Sequence, residues 1–149
     1  MIPSTHKTLQ IVFCSVFIMA AVLLAGAEPA SAGSGKELVN CDIQNRPCTR
    51  QAFGGTVTLD ILPRPVKAMD SLTFRVKLEG IEIEKAPFID LGMPGMNMGP
   101  NRVDMEQYQP GAFEGTGVIV RCPSGKTIWR AYVNLPEKGT VDFIFDVVH

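Results

Sequence analysis

Downstream of Cys48, apolar side chains fall on alternate positions. Val57, Leu59 and Ile61 alternate with Thr56, Thr58 and Asp60, and Leu72, Phe74, Val76 and Leu78 alternate with Thr73, Arg75 and Lys77. A period of two sends successive side chains to opposite faces of an extended chain, so each run reads as a half-buried strand. Comparable runs cover Phe88 to Gly92, Arg102 to Gln107, Phe113 to Arg121, Thr127 to Leu135 and Thr140 to Val148. Turn formers separate them, as in Gln109-Pro110-Gly111 and Pro136-Glu137-Lys138-Gly139. Seven strands with short links and no helical period predict an all-β fold, a seven-stranded immunoglobulin-like antiparallel β-sandwich over residues 54–149. Parity assigns Trp129 to the core with Ala131, Val133 and Leu135, and Met105 with Val103. Gly115-Thr116-Gly117 sits inside a strand pattern and not between a strand and a helix, which excludes a phosphate loop and predicts a bulge. Glu82 and Glu84 alternate with Ile81 and Ile83 and read as a solvated edge.

The first residues follow a different pattern. Lys7 precedes a continuous apolar run from Ile11 to Ala27, and Ala30-Ser31-Ala32 then supplies the small-x-small site of a signal peptidase. Residues 1–32 are therefore expected to be a signal peptide, with a mature chain from Gly33 that is periplasmic or secreted; retention of the segment makes the same domain membrane-anchored. Residues 33–53 form an N-terminal leader. The full chain of 149 residues carries a net charge of −1. Cleavage removes one charge of each sign, Lys7 and Glu28, so the balance is kept. No basic stripe or polybasic tail is present, which argues against nucleic acid as a partner.

Cys14 leaves with the signal, and Cys41, Cys48 and Cys122 remain. Export favours disulfides, and an odd count leaves one thiol unpaired. Cys41 and Cys48 bracket a short polar loop and are the preferred pair. Cys48–Cys122 is the alternative.

Met93-Pro94-Gly95-Met96-Asn97-Met98-Gly99 places three thioethers in a segment too rich in turn formers to pack as a regular core stripe. Thioether sulfur is soft and needs no deprotonation, so outside the cytoplasm such a cluster points to Cu(I). Methionine also fills irregular core gaps and adaptable docking surfaces, and that reading stands beside it. Strict antiparallel alternation gathers further donors at the same end of the sandwich. Met69 lies in the loop after the first run, Cys122 follows the fifth, and His149 follows the last. Met93, Met96, Met98 and Cys122 are the expected ligands, with Met69 and His149 as additional ones. Alternation as read from Val57 puts Cys41 and Cys48 at the far end. No Ser/His/Asp set, acidic cluster or C-x-x-C is present, so the expected role is not enzymatic.

Met93-Pro94-Gly95-Met96, followed by Pro110-Gly111-Ala112-Phe113 and a strand carrying Trp129, resembles the YtkA-like family of exported β-sandwich domains. The layout is also similar to FixH-type proteins of cytochrome oxidase maturation. The resemblance spans roughly Gly54 to Val148. It implies a copper-linked extracytoplasmic role, a metal chaperone or buffer whose partner is an extracytoplasmic or membrane protein receiving the ion. Two positions depart from the pattern. Lys126-Thr127-Ile128 precedes the tryptophan where a Gly-x-Trp is expected, and Cys122 stands where such domains often carry methionine.

Overall fold

The alternating pattern is realised as nine antiparallel strands among the described residues, 39–149 of the computed structural model. The expected signal peptide and the start of the leader lie outside the described residues. The strands are β1 (Cys48–Ala52), β2 (Gly55–Leu62), β3 (Ser71–Glu79), β4 (Phe88–Gly92), β5 (Arg102–Asp104), β6 (Glu106–Gln109), β7 (Ala112–Val118), β8 (Ile128–Leu135) and β9 (Gly139–Asp146). They form two sheets, ordered β1-β2-β3-β7-β6 and β5-β4-β8-β9. Taking β2, β3, β7 and β6 as A, B, E and D, and β4, β8 and β9 as C, F and G, these seven follow the strand order of an immunoglobulin constant domain, with β1 added beside A and β5 beside C. Each inward face is apolar because the sequence alternates: β2 buries Val57, Leu59 and Ile61, and β8 buries Trp129, Ala131, Val133 and Leu135.

The count of seven is corrected to nine for two reasons. β1 is an edge strand whose side chains are mostly wet, so CTRQA shows no apolar alternation. It pairs with β2 through Phe53 and Gly54, both at positive φ (53° and 79°), the backbone of a tight two-residue hairpin. The single run expected over Arg102 to Gln107 is two strands in different sheets: β5 pairs with β4, and β6 pairs with β7. Met105, 4% exposed, lies in the core at the crossing.

That crossing also corrects the expectation for Gly115 and Gly117. β7 pairs with β3 in unbroken register across both, and the irregularity lies in β6 between Gln107 and Gln109. A Cβ at Gly115 would meet the Asp104 carbonyl oxygen at 2.3 Å, and one at Gly117 would meet Val103 Cγ2 at 2.5 Å. The glycines let β5 cross close over β7.

Cys41 and Cys48 are disulfide-bonded and Cys122 is a free, buried cysteine. By loop-closure entropy so short a loop contributes about 2.5 kcal/mol. Its position differs from expectation. β1 runs antiparallel to β2, so Cys48 faces Leu59, three residues before β2 ends, and the Cys41 amide donates to the Ile144 carbonyl near the end of β9. The disulfide therefore lies toward the end where β2 and β9 finish, the same end as the methionine loop.

Candidate functional site

Four segments leave the sheets at this end: 63–70 between β2 and β3, 93–101 between β4 and β5, 119–127 between β7 and β8, and 147–149 after β9. Backbone hydrogen bonds tie them together. The Ala68 amide donates to the Val148 carbonyl at 2.9 Å, Met69 to Ile119 at 2.8 Å, and Val147 to Thr127 at 3.0 Å. Asn101 Nδ2 donates to the Val118 carbonyl at 3.2 Å. The loops bearing Met69, the methionine cluster, Cys122 and His149 are thus held in one layer.

The methionine segment opens with a tight turn. The Met96 amide donates to the Met93 carbonyl at 3.1 Å, with Pro94 second and Gly95 third at φ 69°. Proline presets φ at the second position and the third needs positive φ, the requirements of a type II turn. Such a turn brings its first and fourth Cα within about 7 Å, which places two thioethers on one short bend. Their environments differ. Met93 is 5% exposed and belongs to the core, Met96 is 38% exposed, and Met98 is half-buried and packs against the core. Met69 is 61% exposed and held at φ 72°, a backbone state costly for a non-glycine residue.

Cys122 opens a second turn, in which the Gly125 amide donates to its carbonyl at 3.0 Å. Pro123 and Gly125 take the second and fourth places that a type I turn favours. The turn delivers Ser124 Oγ to Cys122 Sγ at 3.0 Å. The Ser124 hydroxyl, followed by the Ser124 amide, stabilises the thiolate and holds the thiol below its ordinary 9.0. A thiol so placed is easier to deprotonate for a metal. Sequence reasoning missed Ser124, although Cys-Pro-Ser-Gly is a readable turn signal.

His149 Nε2 lies 3.2 Å from the Lys126 carbonyl. A carbonyl only accepts, so Nε2 carries the proton in this contact and Nδ1 of a neutral ring keeps its lone pair. The terminus is held there by the bonds of Val147 and Val148. Trp129 and Met105 stand in the core. Among the described residues no three His, Cys, Asp or Glu side chains gather as a metal cluster.

A surface feature accompanies the donors. Met69, Met96, Val120 and Val148 are exposed on these interlocked segments, and Val118 is exposed where β7 ends. No protein-family model, curated protein or solved structure matches the chain.

Proposed function

We propose that this domain is a non-catalytic extracytoplasmic protein that carries Cu(I) as cargo, for buffering or for delivery to an extracytoplasmic or membrane protein. The observation that carries the reading is the Met93–Met96 turn, which carries one packed and one exposed methionine on a single short bend with Met98 following. Soft, uncharged donors suit Cu(I) and let it leave readily, as delivery requires. The lowered thiol of Cys122 is the anionic donor that would tighten the site, while Met69 and the Nδ1 of His149 are additional donors. The resemblance to YtkA-like and FixH-type domains, with oxidase copper-site maturation as the corresponding pathway, points the same way. Export through residues 1–32 is part of this proposal.

Replacing Met96 and Met98 by leucine keeps volume and apolarity while removing sulfur. Cu(I) affinity is expected to fall at least about tenfold, or about 1.4 kcal/mol. The urea midpoint should move little. Equal affinity in wild type and double variant would remove the thioethers from the site.

The pH dependence separates the thiolate from the thioethers. A thiol must lose its proton to bind metal, so with Cys122 as ligand the affinity rises with pH up to its folded pKa and is flat above it. Because that pKa is lowered, the flat region begins below 9.0. Below it the affinity should fall about tenfold per pH unit. Cys122→Ser should remove the thiolate's contribution to the slope. An identical slope in the serine variant would return Cys122 to a packing role.

The second reading is an interaction domain that uses the methionine loop as a docking surface. It is favoured by the exposed Met69, Met96, Val118, Val120 and Val148, since apolar residues gathered at one end of a domain mark contact surfaces. Leucine at positions 96 and 98 would preserve such docking.

A further inference from the structure

The Cys41–Cys48 loop does more than close on itself. Ile43 inside it is fully buried, and its carbonyl accepts from Arg64 Nε at 2.8 Å, with Arg64 ion-paired to Asp60. Gln44, next to it, reaches two distant segments. Its Nε2 donates to the carbonyls of Val66 at 3.1 Å and Asp146 at 2.9 Å, and its Oε1 accepts from the Val66 amide at 2.8 Å. Val66 is itself fully buried, and its carbonyl also accepts from the Val148 amide at 3.0 Å. One carboxamide therefore pins the segment leading to Met69 against the strand leading to His149. Nothing in that loop is a helix or strand, so the disulfide is the covalent constraint that keeps Ile43 and Gln44 in place.

A cleft of about 330 Å³ runs beside the disulfide, lined by Cys41, Cys48, Pro47, Thr49 and Arg46, with Asp42 also on its wall. The Asp42 carboxylate accepts from Asn45 Nδ2 at 2.9 and 3.1 Å, and Arg46 on the same wall balances its charge, so the cleft presents no net charge against an incoming thiolate. Both residues are buried, Cys41 at 3% and Cys48 at 8% exposure, and the less covered residue, Cys48, is taken as the point of attack.

We propose that Cys41–Cys48 is a thiol–disulfide exchange site for a dithiol reductant, and that its reduction releases the Gln44 clamp and loosens the loop end. A thiolate of the dithiol attacks Cys48 Sγ, the Cys41–Cys48 bond breaks, and Cys41 leaves as thiolate. The second thiol of the reductant, deprotonated, attacks its own sulfur in the mixed disulfide and releases Cys48 as thiolate. Both cysteines then take protons from solvent. The reductant ends as a disulfide, two electrons having passed to the protein. Freed of the cross-link, residues 42–47 no longer hold Gln44 against Val66 and Asp146, and the bonds of Ala68 and Val148 lose their backing. The proposal is independent of copper, and its test contains none.

Hydrogen exchange under native conditions, with and without dithiothreitol, reads it directly, with alkylation and mass analysis counting thiols at Cys41 and Cys48. Reduction is expected to proceed faster than exchange of the β3 and β8 amides, and to lower protection of the Val66, Ala68 and Val148 amides at least about tenfold while β3 and β8 keep theirs. Gln44→Ala with the disulfide intact should reproduce the loss at these three amides. Reduction only at the rate of core exchange would mean that the bond opens by global unfolding and would overturn the exchange site. Unchanged protection at Val66, Ala68 and Val148, after reduction or in Gln44→Ala, would overturn the clamp.

Discussion

Trp129→Ala is expected to destabilise the domain by about 3–5 kcal/mol, the range for truncating a fully buried aromatic side chain. Trp129 is fully buried on β8, paired with Phe145 of β9, in the central face where the two sheets meet. Removing the indole leaves a void that flanking strands, fixed by their ladders, cannot close. Trp129 Nε1 has no hydrogen-bond partner among the described residues, so the truncation breaks no hydrogen bond to the protein and its cost is one of packing. Trp129→Phe keeps an aromatic ring and removes that donor, so it should cost less than half of the alanine change. Urea unfolding with unchanged slope measures both. An alanine variant within about 1 kcal/mol of wild type would mean that the indole does not fill the core as described.

Gly115→Ala is expected to cost at least about 1–3 kcal/mol, although the change from glycine would by itself stabilise through the unfolded chain by about 0.4–1 kcal/mol. The reason is the atom it meets. A Cβ at 115 lies 2.3 Å from the Asp104 carbonyl oxygen, which is backbone and cannot rotate away. Gly117→Ala meets a side-chain methyl, Val103 Cγ2, at 2.5 Å. A Cβ at 115 also meets Val103 Cγ1, at 2.9 Å, so Val103→Ala should relieve most of Gly117→Ala but only part of Gly115→Ala, whose clash with the backbone carbonyl remains. A double-mutant cycle separates the two. Coupling of Val103→Ala to position 117 that is absent, or weaker than its coupling to position 115, would contradict the close crossing of β5 over β7.

These two sites also show what the sequence made legible. The period-two runs through Val57 to Ile61 and Leu72 to Leu78 could be read because one face of each strand is buried and the other wet. β1 could not, since an edge strand buries little, and its turn uses Phe53 in a conformation that no composition rule assigns to phenylalanine. The switch at Met105 was hidden for a different reason. Both sheets turn their apolar faces to the same core, so Val103 and Met105 keep parity while the chain passes from one sheet to the other.

The site was legible in part. Pro94-Gly95 between two methionines announces a turn that brings Met93 and Met96 together. The alternation of strands predicted that Met69, Cys122 and His149 would share that end, and the hydrogen bonds among their loops place them there. That Met93 is packed while Met96 is exposed depends on the depth at which β4 ends, which no local pattern encodes. Cys41 and Cys48 were paired from their short separation, yet put at the wrong end because β1 was missing from the strand count. Gln44 gave no signal: a polar residue in a polar loop is ordinary until its partners, Val66 and Asp146, are seen across the fold.

The central claim, that the methionine loop holds Cu(I), is tested most directly by anaerobic competition between the purified protein and a chromophoric Cu(I) chelator. The account predicts that one equivalent of Cu(I) leaves the chelator for the protein, with an affinity that rises with pH to a plateau beginning below 9.0. Chelator absorbance that stays unchanged at every pH as protein is added would contradict it and leave the docking surface as the better reading of this end of the sandwich.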